Sequence, residues 1–73
     1  MPKILSVWDE NTLAEASGEP RCFGGEWFVN LRFFRRTGEN ELTREGGAMG
    51  VPLEDWQATD EVEIPNGVTF IYP

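Results

Sequence analysis

The sequence predicts a small single-domain α+β fold over residues 1–73, mostly antiparallel sheet with one short helix and a short helical turn. Three observations predict it. A chain of 73 residues makes one domain and buries only about 60% of the surface its unfolded form exposes, so the core is small. In Glu26–Arg36 the odd positions Trp27, Val29, Leu31 and Phe33 are all apolar, the period of a strand with one buried face. Turn-forming residues then punctuate short runs of strand formers along most of the chain.

Taken in order, Lys3-Ile4-Leu5-Ser6-Val7-Trp8 reads as an edge strand headed by Pro2. Asp9 or Asn11 then caps a two-turn helix over Thr12–Ser17, where Thr12 and Glu15 have capping-box spacing and Gly18 offers the left-handed stop. Glu26–Arg36 is the central strand. Its even face places Phe28 and Phe34 among polar groups, where a neighbouring element or a partner would cover them. Thr37-Gly38-Glu39-Asn40 turns into a returning arm at Glu41–Arg44, and Gly46-Gly47-Ala48-Met49-Gly50 reads as a flexible loop. Pro52, with Glu54 and Asp55 behind it, marks a short helix or 3₁₀ turn through Trp56. Glu61–Ile64 and Val68–Tyr72, separated by Pro65-Asn66-Gly67, predict a closing hairpin.

Charge says what such a surface meets. Thirteen Asp and Glu stand against six Lys and Arg, without histidine, for a net charge of −7. That balance repels phosphate backbones and anionic membranes and attracts basic protein surfaces. It is uneven: residues 21–44 hold all five arginines, whereas 45–73 hold six acids and no base. Cross-strand neutralisation is the plain reading of the arginines. The amino terminus fits neither a signal peptide nor a membrane span, and a single cysteine suits a reducing compartment, so a soluble, cytoplasmic protein is expected.

Catalytic readings lack parts. Cys22, Ser6 and Ser17 have no imidazole base, and Cys22 reads as a buried or half-buried structural residue. Neither glycine stretch is followed by the Lys-Ser/Thr of a phosphate loop, which leaves a turn-forming role. The carboxylates lack calcium-loop spacing, so no metal or cofactor is expected. Arg32, Phe34 and Arg36 share one strand face, too small a patch for nucleic acid. A non-enzymatic, monomeric binding module remains, and two candidate contact regions stand out. Trp8, Asp9 and Glu10 combine an aromatic anchor with steering charge, Trp8 being alternatively a core residue. Asp60, Glu61 and Glu63 form an acidic strand whose alternative role is a solvated outer face.

The whole chain, from MPKILSVWDE through GGEWFVNLRFFRR to EVEIPNGVTFIYP, resembles the small bacteriophage-encoded transcription regulators, such as the host RNA polymerase inhibitor of a Xanthomonas phage. The resemblance rests on length, composition and general character. It implies a protein of the host cytoplasm that binds the large subunits of bacterial RNA polymerase, blocks σ-dependent initiation and promotes antitermination, with no catalytic residue. The alternative is another phage inhibitor of host defence: an acidic DNA mimic, or an anti-restriction or anti-CRISPR protein.

Overall fold

The computed structural model describes residues 3–73; Pro2, expected to head the first strand, lies outside them. Seven strands and one short helix follow in the order β1 (Lys3–Asp9), β2 (Thr12–Ala16), β3 (Arg21–Phe23), β4 (Glu26–Gly38), β5 (Glu41–Pro52), α1 (Leu53–Gln57), β6 (Glu61–Ile64) and β7 (Thr69–Ile71). They form one mixed sheet ordered β6-β1-β2-β4-β5-β7, with β3 paired to β4 beyond the end of β2. All pairs are antiparallel except β5 with β7.

The backbone of the fold is β4, 13 residues long. At about 3.3 Å per residue such a strand spans about 40 Å, which matches the longest extent of the molecule, 41 Å. Alternation along β4 gives it two buried faces. On the odd face Val29 and Leu31 meet Ala14 and Val51, covered by Trp8, Phe33, Leu53 and Trp56. On the even face Phe34 joins Leu5, Leu42 and Ile64, with Leu13, Val68 and Phe70 around them. The sheet curls about this second cluster, and Phe70 and Tyr72 meet the Phe34 ring edge-on at 5.4 and 5.8 Å. Lys3 closes the cluster from one side, its ammonium 4.6 Å from the centre of the Phe70 ring.

Four expectations are corrected here. Thr12–Ser17 is not a helix: Thr12–Ala16 is a strand hydrogen-bonded to β1 on one side and β4 on the other. A helix this short gains little from its own hydrogen bonds, whereas β2 pairs its backbone with a strand on each side. Glu61–Ile64 and Val68–Tyr72 do not form a hairpin either. The first pairs with β1 at one end of the strand order, the second runs parallel to Glu41–Thr43 at the other, and the Thr69 amide donates to the Asn40 carbonyl at 2.8 Å.

The glycine loop, likewise, is part of β5. Leu31 faces Met49 and Phe33 faces Glu45, so Arg32 alone lies opposite Gly46, Gly47 and Ala48 in a wide bulge, with Gly46 at φ 62°. Finally, two side chains expected inside are outside. Trp27 is 54% exposed, and Cys22, its cross-strand partner, is exposed as well. Both stand on the β3–β4 hairpin beyond either core. The two-residue turn of that hairpin is Gly24-Gly25 at φ 58° and 84°, the pair of positive values that suits two-residue hairpin turns and that glycine adopts without strain.

Other expectations stand. Pro52 precedes a five-residue helix with Glu54 and Asp55 in its first turn, and β4 turns through Glu39-Asn40 into β5, with the Thr37 hydroxyl 2.7 Å from Glu41 Oε1. Two of the five arginines pair with nearby acids: Arg35 with Glu45 at 2.8 Å, and Arg32 with Glu15, itself bound to Lys3, at 3.6 Å. Phe34 is fully buried, covered by neighbouring strands. Among the described residues no helix is long and apolar enough to cross a membrane.

Candidate functional site: an acidic-rimmed groove

Because the sheet curls without joining β6 to β7, one end of the even-face core is open. A groove of about 330 Å³ lies there. Its floor is apolar: Leu42 and Ile64 are buried, Leu13 and Val68 half-buried, and Val7 and Val62 still 42% and 36% exposed. Asp9, Glu10 and Arg36 stand at its rim, and Glu63, which alternates to the outer face of β6 beside Ile4, adds negative charge at its edge.

Local structure explains each placement. Val7 pairs with Leu13 and Asp9 with Thr12, so Trp8 is the extra residue of a bulge that re-aims the end of β1. The Asp9 carboxylate then accepts the Asn11 amide at 3.0 Å, an Asx-type contact that fixes the β1–β2 turn and holds Glu10 outward. Glu63 is opposite Ile4 on β6. The Arg36 guanidinium donates to the Glu39 carbonyl at 3.4 Å and makes no ion pair among the described residues.

Of the six residues singled out from sequence, the groove gathers Asp9, Glu10 and Glu63. Trp8 turns to the other face of the sheet, where its ring meets Phe33 edge-on at 5.3 Å, and it lines a separate, shallower concavity with Glu45, Gly46, Gly47 and Met49. Of its two readings, anchor or core, the half-buried ring combines both. The Asp60 carbonyl accepts the Val7 amide at 2.7 Å, extending the β1–β6 ladder, while its side chain is exposed. Glu61 stands with Glu63 beside Ile4, which is 58% exposed. Sequence reasoning missed Val7, Val62 and Arg36. Val62 had a signal, since it is the one apolar residue between two acids, but alternation alone does not show that its face of β6 ends in an open edge.

No family model, curated protein or solved structure matches the chain.

Proposed function

We propose that this chain is a phage-encoded protein that binds the large subunits of host bacterial RNA polymerase, inhibits σ-dependent initiation and favours antitermination. The observation that carries the reading is the groove, whose apolar floor and carboxylate rim belong to a chain of net charge −7. Such a surface suits a basic protein segment: carboxylates steer the encounter, and Val7 and Val62 supply desolvated contact. The resemblance to the phage transcription regulators supports polymerase as the bearer of that segment.

Immobilised chain should retain purified core polymerase, reduce run-off transcription from a σ-dependent promoter, spare initiation on a σ-independent tailed template and raise terminator read-through. Retention no better than that of a scrambled acidic chain, with promoter-dependent transcription unchanged, would reject the proposal. A second reading is favoured by Glu61 and Glu63, both exposed and two residues apart on one strand, hence about 7 Å apart along an outward face. A DNA mimic directed at a host-defence protein would use such a row, and it would compete with duplex DNA for its target.

A further inference from the structure

At the far end of β4 from the groove, the β3–β4 hairpin and the start of α1 enclose a cleft of about 320 Å³, lined by Glu26, Trp27, Pro52, Leu53, Glu54 and Gln57. We propose that this cleft is a docking slot for an arginine side chain of a protein partner. Four observations converge on that occupant. The indole of Trp27, 54% exposed in a core-forming strand, offers the ring face to which cations bind best. Pro52 and Leu53 give an apolar bed for the arginine stem. Glu54 and Gln57 present a carboxylate and an amide oxygen, Glu26 at the edge of the cleft adds negative charge, and a guanidinium is a planar group made only of donors. Neither glutamate makes an ion pair among the described residues.

The chain does not fill the slot itself. Its nearest arginine along the hairpin, Arg21, is opposite Phe28 and not opposite Trp27, hence on the other face, and it is not part of the lining. Residues 45–73 carry no base at all, so the local field is negative from the α1 side as well. Arginine is favoured over lysine because stacking on an indole while reaching the Glu54 carboxylate and the Gln57 amide oxygen needs a flat, forked cation. This inference does not depend on the identity of the partner at the groove. Lying at opposite ends of a molecule 41 Å long, the two sites would let one small chain span two surfaces.

The test uses N-acetyl-arginine amide as probe and the indole N–H signals of the full chain, which has three tryptophans. Arginine amide should shift the Trp27 signal saturably while the Trp8 and Trp56 signals stay still. The neutral citrulline analogue should bind at least about tenfold more weakly, and the lysine analogue severalfold more weakly. Glu54→Gln should weaken the response severalfold, whereas Glu39→Gln, the same charge change at the opposite end of β4, should leave it unchanged. Because Glu54 and Glu39 are exposed, these variants keep the fold, which the unchanged amide spectrum would verify. An equal response to citrulline, shifts spread over all three indoles, or no saturable shift of Trp27 would overturn the proposal.

Discussion

Phe34→Ala should remove a large share of the stability of the fold. The Phe34 ring is fully buried, packed with Leu5, Leu42 and Ile64 and met edge-on by Phe70 and Tyr72. Truncating a buried phenylalanine costs about 3–5 kcal/mol, and a domain of 73 residues holds only about 4–11 kcal/mol in total. At about 4–8 °C per kcal/mol for a domain of this size, Tm should fall by at least about 12 °C. Phe33→Ala, one position away, should cost about half as much, because Phe33 is half-buried against Trp8 on the other face. Thermal melts of the two variants decide the matter. A larger loss from Phe33→Ala would mean that the two faces of β4 are exchanged.

The second large effect concerns binding. Reversing Glu10 and Glu63 to lysine should slow association with polymerase about tenfold at low salt and change dissociation much less, since rim charges act on the encounter. Asp9 is left intact in this test because its carboxylate also holds the Asn11 amide, so a change there would mix turn stability with charge. The control reverses Glu19 and Asp55, exposed acids away from the groove, and should slow association less than about twofold. Raising salt from about 50 to 300 mM should bring the wild type and the Glu10/Glu63 variant together, because screening shortens the reach of the rim charge to less than about 10 Å. Equal slowing by both double reversals would attribute the effect to net charge alone.

How much of this was legible in the sequence depends on how far each signal reaches along the chain. Local signals read well. The alternation at Val29 and Leu31, the turn after Gly38, the glycine pair at 24–25 and the helical start after Pro52 each rest on neighbours within a few residues. Thr12–Ala16 misled because Thr12 with Glu15 and the following Gly18 satisfy local helix rules, while the two strands that capture the segment come from elsewhere. Val68–Tyr72 misled for the same reason: its nearest complementary strand in sequence is β6, yet the curl of the sheet carries it to Glu41–Thr43. The groove inherits that difficulty. Asp9 and Glu10 were legible as an acidic pair beside a strand end, but their meeting with Glu63 depends on where β6 docks, and the apolar floor depends on the failure of β6 and β7 to pair.

The claim that the acidic-rimmed groove faces polymerase is tested most directly by site-specific photocrosslinking. A benzophenone side chain placed at Val62, in the groove, should join the chain to a large polymerase subunit, and one placed at Glu19, outside it, should not. Crosslinks from position 19 but none from position 62, in a preparation that still binds polymerase, would contradict the account.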